Sequence, residues 1–340
     1  MLKPSTQIIG STIFLAMGFA LLPGCVGTHT TDKPGQSPWE NLKPLIAMET
    51  APTYHLLDGY DPKWMVQIKE GIEIARSYWG SFGPTHVWIL GREPGTVITK
   101  KSRRDFLEQY CTWRTASSAR TFSECLPYAK KRLFTRMDRG DSECWLSDTR
   151  DTKPRMAELF FINVHKQLRK GEPIPGPVVR GVHEYTHVFQ QSTGPIPTWM
   201  AEGGAVFAEN WLPWQQGRGN PKFIMKHLMR NVHRKLGDTG FSIADMESIE
   251  SAPKAVARYY LELAYYSGAW ATVFMIHKSP TNRVATLRDV FYPLVKQFGW
   301  ETALCRYVGM QNKAEFYEAF AVFMDLPIAK QLAVWDTLKS

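Results

Sequence analysis

Apolar residues recur along this chain with mixed periods up to about residue 177 and with a helical period almost everywhere beyond it. Trp64, Met65, Ile68, Ile72, Ala75 and Trp79 fall on one face of a helix over 62–79. Gly83-Pro84 ends it, and the β-branched, alternating run Thr85–Leu90 reads as a strand closed by Gly91. Glu158–Val164, with Leu159, Phe160, Phe161, Ile162 and Val164, reads as a second strand. Between the two, Lys100–Arg155 is polar, basic and cysteine-bearing, an excursion expected to carry short helices. Gly171–Pro177 is a turn, and Pro177 suits the first turn of a helix over Val178–Gln191 that stops at Gly194-Pro195. A second helix is expected from Thr198, as N-cap, to about Trp211. Phe223–Lys235, Ser242–Ile249, Ala255–His277, Thr286–Gln297 and Lys313 to the end follow as helices.

The first residues do not belong to this pattern. Lys3 precedes an apolar stretch, Ile8–Leu22, that is short and rich in Gly, Ser and Thr. Such a stretch fits a secretory signal better than a spanning helix. Leu22-Pro23-Gly24-Cys25 resembles a bacterial lipobox, in which the cysteine becomes the lipidated first residue of the mature chain, and Pro23 is an unusual member of it. By the same resemblance Val26 favours the outer over the inner membrane. Gly27–Pro38 reads as a tether. The expected organisation is a signal at 1–24, a flexible tether at 25–50, and one domain at 51–340, divided into an α/β lobe (51–198) and a helical lobe (199–340).

Composition narrows the partners. With 44% hydrophobic and 21% charged residues the chain has the make-up of a folded globular protein, and its formal charge is +9. The positive excess concentrates in Lys100–Arg104, Lys130–Arg136 and Lys222–Arg234. No nucleic-acid module is recognisable, so that charge reads as a solvated face or as attraction to anionic envelope polymers and lipids. Apart from Cys25 the cysteines are Cys111, Cys125, Cys144 and Cys305. In an oxidising compartment they allow two disulfides in three pairings, with at least one bridge expected inside 111–144. No Cys-x-x-Cys occurs, which argues against a thiolate zinc site.

The chemistry concentrates in Val182-His183-Glu184-Tyr185-Thr186-His187. Histidines four apart share a helix face and can both reach one ion, while the intervening Glu184 can take a proton from a water beside it. Trp199-Met200-Ala201-Glu202-Gly203-Gly204-Ala205 opens the next helix, with fourteen residues between His187 and Glu202. A helix, a Gly-Pro-x-Pro turn and an antiparallel helix would return Glu202 to the two histidines. Glu209 lies two turns further on a similar face and is the alternative third ligand. A third histidine ligand six residues after His187 is excluded, because Gln190 and Thr193 occupy the required Gly and His positions. Among the remaining histidines, His165, His233 and His277 read as ordinary surface or core residues, with His233 the candidate for a substrate role.

His-Glu-x-x-His followed by Trp-x-x-Glu-Gly-x-Ala resembles the gluzincin metallopeptidases, and within them the smaller bacterial peptidase MA-like proteins. The resemblance is specific only at these two motifs. It implies an α+β, thermolysin-like catalytic domain: a small N-terminal β-sheet lobe with the active-site helix, then a mostly helical C-terminal lobe. It further implies one zinc ion per chain on His183, His187 and Glu202, with Glu184 as general base. In the aminopeptidases of the group a tyrosine three residues before a glycine donates to the oxyanion, and Tyr265-Tyr266-Ser267-Gly268 resembles that segment, pointing to Tyr265. The amine-binding Gly-x-Met-Glu-Asn segment is missing, so an exopeptidase is not supported. The Leu159–Val164 strand is the expected edge for an extended substrate.

Three functions follow as expectations. The first is a zinc endopeptidase or amidase acting on peptides or proteins in the periplasm, lipid-anchored through Cys25. The second is an inactive envelope lipoprotein that binds zinc or substrate. The third is a zinc hydrolase of a non-peptide amide or ester.

Overall fold

The computed structural model describes residues 42, 43, 45, 50–116, 118, 120–149, 156–168 and 174–340. The signal, Cys25 and nearly all of the tether lie outside them. The architecture is α+β: a mixed four-stranded sheet in the N-terminal part, then a mostly helical C-terminal part. The described residues cluster into two compact units, one of 50–76 and 81–188, the other of 42, 43, 45, 77–80 and 189–340. Among the described residues no helix is long and apolar enough to cross a membrane.

The first unit is built on strands β1 (Thr53–Leu56), β2 (Thr85–Leu90), β3 (Glu143–Thr149) and β4 (Met156–Ile162), in the order β1-β2-β4-β3. β1, β2 and β4 run parallel, and β3 is antiparallel to β4. β4 is therefore internal and β3 is an edge, which corrects the expectation that residues 159–164 offer a free edge. The apolar run places β4 correctly in kind but two residues late, since Val164 already opens a 3-10 turn. β1 and β3 were not anticipated. Their short, polar-tagged sequences, Thr-Tyr-His-Leu and Glu-Cys-Trp-Leu-Ser-Asp-Thr, become strands through pairing with β2 and β4.

The cysteine-bearing excursion carries the expected short helices, α3 (Phe122–Ala129) and α4 (Thr135–Arg139), and in addition a long one that covers the sheet. Helix α1 (Lys63–Trp79) precedes β2, and α2 (Lys100–Ala116) is a full 17-residue helix. On one sheet face, Trp88 meets Phe106 and Tyr110 of α2 edge-on, and Phe160 stacks on Trp145 of β3. These rings bury large apolar area in favourable edge and offset geometries. Arg114 of α2 reaches Glu158 of β4 at 3.1 Å, and both side chains are buried. A carboxylate in a closed strand needs such a cation, because burying it alone would cost several kcal/mol. Cys111 of α2 and Cys125 of α3 (Phe122–Ala129) form a disulfide. A closed loop of this size stabilises by about 3 kcal/mol through chain entropy. Among the described residues no second bridge is formed, and Cys144 and Cys305 are both buried.

The same face carries a pH-sensitive pair. His55 Nε2 and His86 Nδ1 are 3.0 Å apart, with His55 stacked on Trp88 and His86 against Trp113. Burial lowers His86 to about 4; burial and then the neighbouring His86 lower His55 to about 4 as well. The fold thus favours the neutral rings, while the unfolded chain takes up protons from about pH 6.5 downward. Their contribution is complete above pH 6.5 and is lost as pH falls from 6.5 towards 4. The melting temperature of the metal-free chain is expected to drop across that interval. His55→Gln/His86→Gln is expected to drop less over the same interval in circular-dichroism melts, and an equal drop would reject the assignment.

In the second unit α6 (Thr198–Gln215), α7 (Pro221–Leu236) and α9 (Gly268–Lys278) dominate the core, with α10 (Tyr292–Phe298), α11 (Trp300–Val308), α12 (Lys313–Met324) and α13 (Ile328–Thr337). Thr198 is the first helical residue rather than the N-cap; Pro197 takes that position, and the Thr198 Oγ1 accepts from the Ile249 amide at 3.1 Å. The helix expected over 242–249 is a single 3-10 turn (Ile243–Met246). The one expected over 255–277 is broken into α8 (Lys254–Ala257), a π-helical segment (Leu261–Ser267) and α9. A second π segment (Leu287–Phe291) precedes α10, and Pro327 splits the last helix in two.

Candidate metal centre

Helix α5 (Gly176–Gln191) supplies the histidines, and backbone contact holds it. A Cβ at Gly71 of α1 would lie 2.0 Å from the Val178 carbonyl oxygen, and one at Gly181 would lie 2.5 Å from the Ile68 carbonyl oxygen. No other residue fits this crossing, so α1 and α5 meet main chain to main chain one turn before His183. Tyr185 points away from the histidines, accepting from the Phe82 amide at 2.9 Å.

Helix α6 is placed by a matching contact. A Cβ at Gly203 would lie 2.0 Å from the Gly268 carbonyl carbon, and one at Gly268 would lie 2.2 Å from the Trp199 carbonyl oxygen. The Gln190 side-chain amide donates to the Ala201 carbonyl (3.0 Å) and to the Tyr292 hydroxyl (3.1 Å), tying the end of α5 to the start of α6. The Thr198 amide donates to the Glu247 carbonyl (2.8 Å), and the Trp199 indole to the Tyr317 hydroxyl (3.2 Å).

The result is a buried group of His183, His187 and Glu202 able to hold one metal ion: one donor atom from each lies within 4.8 Å of the others. The two rings stand nearly perpendicular, 4.9 Å apart. Bonds of ~2.0–2.2 Å in a tetrahedron space donors ~3.3–3.6 Å apart, so small side-chain rotations would close this set on an ion. Two imidazoles and one carboxylate are the donor chemistry that zinc accepts, and three protein ligands leave a fourth position. Relative exposures of 2%, 8% and 2% for His183, His187 and Glu202 make the set costly to bury for any role but ligation or pairing. Glu209 is buried on α6 but is not a member of the group.

Glu184 is buried next to this group in sequence, and its charge reaches the Cys144 thiol of β3. Burial, and then Glu184, push that thiol well above its ordinary value, so Cys144 stays protonated. Tyr265 is half-buried in the π segment and packs edge-on against Tyr260, 5.4 Å between rings. It is Tyr260 whose hydroxyl donates to Glu202 Oε1, at 2.8 Å. Burial, and then Glu202, raise the Tyr260 phenol far above its ordinary value, so it is a neutral donor. In the sequence Tyr260 stands among Tyr259, Tyr265 and Tyr266, a run with the look of core aromatics, and no motif marks it. The only available signal was its place five residues before Tyr265, which carries meaning only in a π turn. His233 is exposed on α7 and outside the group. No protein-family model, no curated protein and no solved structure matches this chain.

Proposed function

We propose that this chain is a zinc-dependent hydrolase of peptide bonds, of gluzincin type, acting in a bacterial cell envelope. The observation that carries the reading is the convergence of His183, His187 and Glu202 in one buried group, with Glu184 adjacent to the first of them. When bound, zinc would supply Lewis acidity to a water and to the scissile carbonyl. Glu184 takes the proton of the attacking water and returns it to the leaving amine. Tyr265 donates its phenolic hydrogen to the developing oxyanion, without a charge of its own that would compete for the metal. An extended substrate adds to β3, an edge strand among the described residues, whose Cys144 feels the Glu184 charge, so the main chain of the substrate passes the catalytic carboxylate. The missing amine-binding segment favours internal cleavage. Lys3, the apolar run and Cys25 support export and lipid anchoring, with the outer membrane as the destination.

The test is metal content and cleavage on the purified chain. One zinc per chain is expected, together with cleavage of a mixed peptide library that 1,10-phenanthroline abolishes and added zinc restores. Bound zinc without cleavage would favour a binding role, and cleavage indifferent to the chelator would overturn the reading.

A further inference from the structure

We propose that Tyr260 is a positioning residue of the metal centre, holding the Glu202 carboxylate so that it offers a single oxygen to the ion. The proposal rests on the metal-site reading above and adds a residue that no motif marks. The Tyr260 hydroxyl donates to Glu202 Oε1 at 2.8 Å. The hydrogen bond occupies one lone pair of Oε1 and fixes the carboxylate plane, which biases Glu202 towards ligation through one oxygen and one coordination position rather than two. A site with two imidazoles and a one-oxygen carboxylate keeps a position for water, as a hydrolytic centre requires.

The chemistry of the donor matters. A lysine or arginine at this place would neutralise Glu202 and weaken its attraction for a cation. A phenol fixes the carboxylate's orientation and leaves its charge intact. The backbone is shaped to deliver it. The π-helical Leu261–Ser267 segment begins directly after Tyr260, and its wide turn lets Tyr260 and Tyr265, five apart, meet edge-on at 5.4 Å. An α-helix would instead set residues four apart together. The segment leads into Gly268, whose backbone touches Gly203, the neighbour of Glu202. The carboxylate and its donor are thus placed by one backbone contact, and Tyr265 braces the Tyr260 ring.

The experiment compares the full-length chain with Tyr260→Phe, which removes one oxygen atom and keeps the ring. Zinc affinity is measured by competition with a chromophoric chelator, and coordination is read from the visible absorption of the cobalt(II)-substituted protein. Tyr260→Phe is expected to bind zinc about 10- to 100-fold more weakly, with displaced cobalt bands and an altered extinction. Tyr259→Phe, which changes a neighbouring tyrosine packed on Phe241, is expected to leave both unchanged. Tyr260→Leu is a second donor-free variant, with the same expected loss should Tyr260→Phe not fold. An affinity within about twofold of wild type and an unshifted cobalt spectrum would overturn the role of Tyr260 while leaving the metal site standing. A wild-type chain that takes up neither metal would remove the metal-site reading itself.

Discussion

Glu184→Gln is expected to retain one zinc per chain and to lose about 10²–10⁴-fold in kcat against peptide substrates, the range of a general acid–base residue. The substitution keeps shape and hydrogen-bonding capacity while removing the basic oxygen. Glu184 is outside the His183–His187–Glu202 group, so the ion's donors are untouched. Metal content by mass spectrometry and turnover of a fluorogenic peptide separate the two effects. Loss of zinc together with turnover would make Glu184 a structural support of the site, and an unchanged rate would reject its role as base. The expected KM is near that of wild type, because the carboxylate acts on a proton rather than on the substrate's side chains.

The second large effect lies in the backbone. Gly203→Ala is expected to destabilise the chain by about 3 kcal/mol or more, beyond the usual cost of an inserted methyl group. The added carbon would stand 2.0 Å from the Gly268 carbonyl carbon, which is main chain and cannot rotate away. Separation of α6 from the start of α9 is the only relief. The melting temperature should fall by roughly 6–12 °C at 2–4 °C per kcal/mol. Because Glu202 is the preceding residue, zinc affinity should fall with it. Thermal melts and chelator competition on the same preparation check both. A variant that melts with wild type would show that the two helices do not touch at this point. Helix propensity alone favours alanine over glycine by about 1 kcal/mol, so the sign of the result discriminates sharply between packing and propensity.

The same pair of glycines illustrates what the sequence could and could not disclose. Gly203 and Gly204 each weaken a helix by about 1 kcal/mol relative to alanine, so their presence in α6 points to close packing there. The partner, Gly268, lies more than sixty residues away and carries no mark of its own beyond the Tyr-x-x-Gly resemblance. The candidate donors were legible because their spacing is local: His183 and His187 share a helix face, and a tight turn limits where Glu202 can go. The helices were legible in kind from their periodicity, and the Gly-Pro and Pro-Thr punctuation gave most of their limits. Strands β1 and β3 were not: β1 takes its conformation from β2, beyond the whole of α1, and the seven residues of β3, which include Glu, Ser and Asp, have no strong strand signature until the antiparallel β4 that follows lies beside them. Treating 100–155 as an appendage followed from its polar composition. Phe106 and Tyr110, which close the sheet face, are a small part of that segment. The π segments were invisible for a different reason. A single wide turn leaves the apolar pattern on either side nearly intact, so residues 255–277 read as one unbroken helix.

That wide turn has a consequence for how the chain can vary. Between Tyr260 and Gly268 the site depends on Tyr265 and the buried Leu263 and Ala264, and equally on how many residues there are. Leu261 points to solvent and could be exchanged freely. Deleting one residue, by contrast, would let the segment relax to an ordinary helix and swing the phenol about a quarter-turn away from Glu202. Drift in spelling is tolerated at its exposed positions, and drift in length is not.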